Sequence, residues 1–139
     1  MEITDPIVAY GSTDDVNVFS LIEMIRNGIK FPAFSLFASR SPFSLAEWSS
    51  FLHISDRTMQ RYKKENGTFD SLQSEKIVEI ALLHNKGTSV FGGSQKFNNW
   101  LDTENLALGK IKPKLLLDNT FGIGLLKDEL TRIEYGILA

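Results

Sequence analysis

Between Phe43 and Lys64 two helical patterns stand a few residues apart, and this arrangement restricts the fold more than any other feature of the chain. Leu45, Trp48, Phe51 and Leu52 recur at the spacing of one helix face. His53-Ile54-Ser55 then breaks the pattern, and Asp56 to Lys64 resumes it with a different character. Two short helices joined by so tight a turn bury little surface separately, so they have to cross and pack on one another. Ser49 is small enough to sit at that crossing, and Ile54 closes the turn.

The second helix has a start signal and two faces. Ser55 is placed to cap the free N–H groups of its first turn, Asp56 suits the positive end of the helix dipole, and Ile54 can staple onto Met59. Met59 and Tyr62 are expected to face inward, while Arg57, Gln60, Arg61 and Lys64, at i, i+3, i+4 and i+7, share the outer face. Arg and Gln suit bidentate contacts with base edges, and Arg and Lys suit phosphates. The candidate DNA-binding residues are therefore Arg57, Thr58, Gln60, Arg61, Lys63 and Lys64. His53 occupies the turn position where glycine is common, which leaves a distorted turn open. No Ser, Cys or carboxylate stands at a useful spacing for His53 to act as a general base, so it is read as a turn residue.

The net charge of −2 argues against a surface that grips nucleic acid everywhere, so any such face has to be local. The charge is indeed uneven: Glu2, Asp5, Asp14 and Asp15 stand near the start without a basic residue, whereas Arg57, Arg61, Lys63 and Lys64 crowd together. At 139 residues and 42% hydrophobic content, the chain can build one ordinary domain or two small ones around a real core. The absence of Cys excludes disulfides and thiolate zinc sites, and two isolated His residues make no metal site, so neither metal nor cofactor is expected. No stretch approaches the roughly 20 apolar residues of a membrane span, and Met1 to Asp15 lacks a signal peptide's basic start and apolar run. A soluble, cytoplasmic protein without a membrane partner is expected.

Taken in order, residues 1–17 read as a flexible arm with Pro6 and Gly11 and no sustained period. Val18 to Ile29 reads as a buried helix stopped by Asn27-Gly28, and Phe31 to Ala38 as a short helix with Pro32 in its first turn. Phe43 to Leu52 and the basic helix complete a helix-turn-helix region over residues 18–66, its aromatics, including Trp48, serving the core. Beyond Glu65-Asn66-Gly67-Thr68, Asp70 and Gln73 can form a capping box for a long helix. Leu72, Ile77, Ile80, Ala81, Leu83, Val90 and Phe91 lie along this helix, with Gly87 an internal weak point and Gly92-Gly93 the stop. His84 falls on or beside that face and reads as a packed histidine. A short helix over Ser94 to Leu101, a loop through Asn105 to Gly109, the run Leu115-Leu116-Leu117, and a last helix over Phe121 to Glu134 follow. In that last helix Ile123, Leu126, Leu130 and Ile133 face inward. No stretch shows strand alternation, so the expected fold is all-α, an N-terminal helix-turn-helix bundle followed by a small helical domain over residues 67–139.

Catalytic patterns are missing. Gly122-Ile123-Gly124 follows no strand and lacks a third glycine, so it reads as a helix-packing feature rather than a phosphate loop. The members of Asp14-Asp15 and of Asp128-Glu129 are sequence neighbours that point apart in regular structure and make no acid/base dyad. An enzyme is the weakest reading.

One ordered set of motifs remains: Arg57-Thr58-Met59-Gln60-Arg61, Val90-Phe91-Gly92, Trp100-Leu101, Asn105-Leu106-Ala107-Leu108-Gly109, Pro113, Leu116-Leu117-Asp118, Phe121-Gly122 and Arg132-Ile133-Glu134-Tyr135-Gly136. Through these, over about residues 55 to 139, the chain resembles the toxin-binding domain of Xre/MbcA/ParS-type antitoxins, the partners of RES-domain toxins. It implies a non-enzymatic antitoxin that represses its own operon with the helix-turn-helix region, binding operator DNA, and docks on the toxin with the C-terminal domain. RES toxins are similar to ADP-ribosyl-transferring enzymes and consume or transfer from NAD, and the resemblance carries the role of blocking that pocket to Arg132, Glu134, Tyr135 and Gly136, with Ile137, Leu138 and Ala139 adjoining. One short reading helix binds weakly alone, so a homodimer or a larger toxin–antitoxin assembly is expected. The alternative is a stand-alone helix-turn-helix transcription regulator without a toxin partner.

Overall fold

The computed structural model describes residues 18–136, so the expected N-terminal arm over residues 1–17 and the tail residues Ile137, Leu138 and Ala139 lie outside the described residues. Among the described residues the chain is all-α, with seven α-helices, two short 3-10 helices and no strand beyond isolated bridges. The helices are α1 (Val18–Asn27), α2 (Phe31–Ala38), α3 (Leu45–Leu52), α4 (Asp56–Glu65), α5 (Ser71–Phe91), α6 (Ser94–Leu101) and α7 (Thr120–Glu134), with 3-10 turns at Leu106–Leu108 and Pro113–Leu116. The chain divides into two compact units, and the division falls inside α5, between Leu82 and Leu83.

The first unit is built on aromatic side chains. Trp48 and Phe34 are fully buried and meet edge to face, with ring centroids 5.1 Å apart. Phe69 meets Phe34 at 5.0 Å and Tyr62 at 5.1 Å, and Phe43 meets Phe51 at 5.1 Å, again edge-on, the arrangement that ring quadrupoles favour. Trp48 satisfies its one donor internally, the indole N–H reaching Ser41 Oγ at 3.3 Å. These rings serve the core, as their sequence positions indicated.

Two helix bounds differ from expectation by two residues each, and the last helix starts one residue early, at Thr120. α1 ends at Asn27 rather than Ile29 because Gly28 takes φ +87, a conformation that favours glycine, and Ile29 turns into the core. α3 starts at Leu45 rather than Phe43 because Ser44 and Glu47 form a capping box: Glu47 N–H donates to Ser44 Oγ at 3.1 Å, and Ser44 N–H donates to Glu47 Oε1 at 3.0 Å.

The first unit continues past Asn66, where the sequence placed a domain boundary. Phe31 N–H donates to the Gly67 carbonyl and Phe69 N–H to the Ile29 carbonyl, each at 2.8 Å, which lays residues 67–69 beside the α1–α2 junction. The expected Asp70–Gln73 capping box forms, with Gln73 N–H donating to Asp70 Oδ1 at 2.7 Å and Asp70 N–H to Gln73 Oε1 at 3.0 Å. Leu72 does not join the inner face of α5; it is 77% exposed, because Ser74 takes the inward position.

In the second unit Gly87 is required by packing. A Cβ there would collide with the Phe97 ring, which is fully buried against α5 and stacks on Trp100 with centroids 5.8 Å apart. Asn119 caps α7, its Oδ1 accepting the Gly122 N–H at 2.6 Å, and Gly122 lies so close to the Leu116 carbonyl that a side chain has no room. Gly122-Ile123-Gly124 is thus a helix entry and packing feature. Ile123, Leu126 and Leu130 line the buried face of α7 as expected.

Candidate functional site

Helix α4 holds the basic residues in the arrangement their spacing implies. Ser55 is its N-cap, the hydroxyl oxygen accepting the Thr58 N–H at 3.0 Å, and Met59 is fully buried. Arg57, Gln60, Arg61, Lys63 and Lys64 are exposed. Among the described residues no carboxylate pairs with Arg57, Arg61, Lys63 or Lys64, so this cationic face is not neutralised by its own fold. The Arg61 guanidinium lies 5.7 Å from the Tyr62 ring centroid, a contact that orients it without removing its charge.

Two of the named residues stand apart from that face. Thr58 is half-buried and its Oγ1 accepts the Ser55 hydroxyl at 3.0 Å, so it serves the cap. Lys63 helps to line a cavity of about 250 Å³ with Phe31, Ser35, Ala38, Phe43 and Leu45.

The turn before α4 is regular despite lacking glycine. His53 adopts the left-handed conformation itself, φ 59 and ψ 40, and caps α3, with its own N–H donating to the Ser50 carbonyl at 3.2 Å and the Ile54 N–H to the Ser49 carbonyl at 3.0 Å. Ser49 is buried where expected, its hydroxyl donating to the Leu45 carbonyl at 2.9 Å. A distorted turn is therefore not what His53 produces.

At the other end of the chain, α7 stops at Glu134, and Gly136 takes φ +67. Arg132, Glu134, Tyr135 and Gly136 are all exposed, and the Tyr135 ring is 71% accessible. Arg132 is engaged within the helix, its Nη1 lying 3.1 Å from Glu129 Oε1. In water this pair contributes little, so the guanidinium can exchange Glu129 for a better-placed acceptor at low cost. Ile137, Leu138 and Ala139 lie outside the described residues.

Other ionisable groups serve structure. His84 is buried, its Nε2 lies 3.0 Å from Asn98 Oδ1, and its ring meets the edge of Phe97. Burial pushes its pKa below the ordinary value, against a smaller raising effect of the Asn98 bond. Asp102 accepts from Lys114 at 2.9 Å and Lys112 at 3.3 Å, and these two ammonium groups hold its carboxyl below the usual range. Among the described residues no group of three or more His, Asp or Glu side chains could hold a metal ion, and no helix is long and apolar enough to cross a membrane. The sequence had not marked Phe121 and Leu125 as surface residues, yet both project from α7 into solvent. Their spacing, out of phase with Ile123, Leu126 and Leu130, was the available signal.

Comparison with known proteins bears on both ends of the chain. Residues 20–82 match the antitoxin Xre-like helix-turn-helix domain family, and residues 86–136 match the antitoxin Xre/MbcA/ParS C-terminal toxin-binding domain family. The chain is also 24% identical over 120 residues to an Antitoxin Xre of Yersinia enterocolitica serotype O:8 / biotype 1B, an alignment covering 86% of this chain and 81% of that protein.

Proposed function

The chain belongs to the Xre-type antitoxins, and from that premise we propose that it inhibits a RES-domain toxin by placing its C-terminal end in the toxin's NAD-handling pocket, and that it represses its own operon through α4. Its matched domains are regulatory and binding domains, not catalytic ones. The observation that carries the toxin half is the end of α7. There the toxin-binding match runs to residue 136, Tyr135 is exposed, and the positive φ of Gly136 lets the chain leave the helix axis. Tyr135 offers a rigid amphipathic anchor, and Arg132 and Glu134 offer charges for polar groups around a cofactor pocket.

The operon half rests on the unneutralised outer face of α4. Arg57 to Lys64 spans only about 10 Å of helix, so one copy reads few base pairs, and two copies placed by a homodimer or by toxin assembly supply the rest. The same face supports a second reading, a stand-alone transcription regulator. Co-expression with the neighbouring reading frame separates the two. Co-purification of that product, with NAD-consuming activity once freed from this chain, supports the antitoxin reading, whereas operator binding with no associated protein supports the regulator.

A further inference from the structure

The buried face of α7 is made by Gly122, Ile123, Leu126 and Leu130. Opposite it, Phe121, Leu125, Asp128, Arg132 and Tyr135 follow one another at alternating steps of four and three residues, a spacing that keeps them on one line along the helix. All five are exposed, Phe121 at 91%, Leu125 at 45% and Tyr135 at 71%. A single exposed apolar residue is ordinary, but aligned bulky ones form an edge suited to a partner. At 1.5 Å per residue the line is about 21 Å long, with Phe121 and Leu125 about 6 Å apart at its start. Asp128, at its midpoint, has no ion pair or hydrogen bond among the described residues.

That midpoint decides what covers the edge. A second copy of α7 in full overlap, parallel or antiparallel, would bring Asp128 against Asp128 of that copy, and the nearest cation on the line, Arg132, stands one turn away and already lies 3.1 Å from Glu129, so self-pairing is disfavoured. A different protein fits, and the edge lies within the matched toxin-binding region, residues 86–136, and ends at Tyr135, where the tail proposed to block the toxin begins. We propose that the line from Phe121 to Tyr135 is the docking edge for the toxin, received in a groove with two adjoining apolar pockets and a basic side chain opposite Asp128. This rests on the antitoxin reading and adds a division of labour, in which Phe121, Leu125 and Asp128 supply affinity and register, while Arg132 and Tyr135, at the end of the line, lead into the tail that supplies blockage.

The test measures affinity of the full-length chain for the product of the neighbouring reading frame, in wild type, Phe121→Ser/Leu125→Ser, Asp128→Lys and Leu72→Ser. Loss of two docked apolar anchors should weaken binding about 100-fold or more, and charge reversal at Asp128 about 10-fold, while the thermal midpoint stays near that of wild type because all these side chains are exposed. Leu72→Ser, which removes an exposed leucine of the first unit, should leave affinity unchanged. If wild type binds and both α7 variants bind within about threefold of it, the edge is overturned while the antitoxin reading stands. If wild type does not bind at all, the antitoxin reading fails and the edge with it. Self-association of wild type that the double variant abolishes, with toxin affinity unchanged, would also overturn the proposal. Should the double variant misfold, Asp128→Lys alone decides between these outcomes.

Discussion

Ser74 Oγ accepts the amide N–H of Ile29 at 2.9 Å and donates to the carbonyl of Phe69 at 3.3 Å, so one fully buried hydroxyl joins the first turn of α5 to the end of α1. Removing it leaves the Ile29 N–H buried without a partner, at a cost of about 1–3 kcal/mol. Ser74→Ala should therefore destabilise the first unit by that amount, and Ser74→Thr by less if the added methyl fits. Denaturant unfolding followed by tryptophan fluorescence in a Trp100→Phe background, which leaves Trp48 as the reporter, checks it. An unchanged midpoint for Ser74→Ala would mean that the bond contributes nothing.

Gly122 and Gly124 are two residues apart on α7 and should respond to alanine with opposite signs. A Cβ at Gly122 meets the Leu116 backbone carbonyl, whereas at Gly124 it meets nothing. Gly122→Ala should cost about 1–3 kcal/mol by overpacking, despite alanine's better helix propensity. Gly124→Ala should instead stabilise by about 0.5–1 kcal/mol. Thermal unfolding of the two variants beside wild type gives both signs at once.

Acid should destabilise the second unit through His84. Its folded pKa lies below the unfolded value of about 6.5, so the unfolded chain takes up the proton first. The stability that depends on a neutral imidazole is complete above that value and is lost as pH falls from 6.5 through the folded pKa. Melting curves at about pH 7.5 and about pH 5 should show a drop in wild type and a smaller one in His84→Gln.

The DNA-reading role proposed for α4 separates two kinds of contact. Arg57→Ala and Gln60→Ala should each lose about 1–3 kcal/mol on the chain's own promoter and relax its sequence preference, whereas Lys64→Ala should weaken all sequences alike and reduce the salt slope by about one. Titrations against promoter and scrambled duplexes at several salt concentrations check this. Unaltered promoter binding by an Arg57/Arg61 double alanine variant would contradict the assignment of this face.

What could be read from the chain was local chemistry. Ser55 before Asp56, Asp70 with Gln73, Pro32 in a first turn and Gly92 after Phe91 each mark a helix end by interactions a few residues long, and α2 and α6 stand at their expected bounds. The misplaced features depend on distant partners. Leu72 faces water because Ile29, 45 positions before Ser74, needs an acceptor, and an inward Ser74 turns Leu72 to the opposite side of α5. The extent of the first unit likewise rests on the pairing of residues 29–31 with 67–69, which no local pattern announces. Of the candidate site, the α4 face was legible because its spacing is helical. The role proposed for Arg132 to Gly136 rests on resemblance alone, since exposed residues at a helix end carry no pattern of their own.

The central claim, that the C-terminal end blocks the toxin's pocket, is tested most directly by NAD consumption. The neighbouring reading frame's product is assayed with increasing amounts of the full chain and of a chain ending at Glu134. The account predicts that the full chain abolishes NAD loss near equimolar ratio, and that the shortened chain still binds but leaves most of the activity. Equal inhibition by both chains would contradict it.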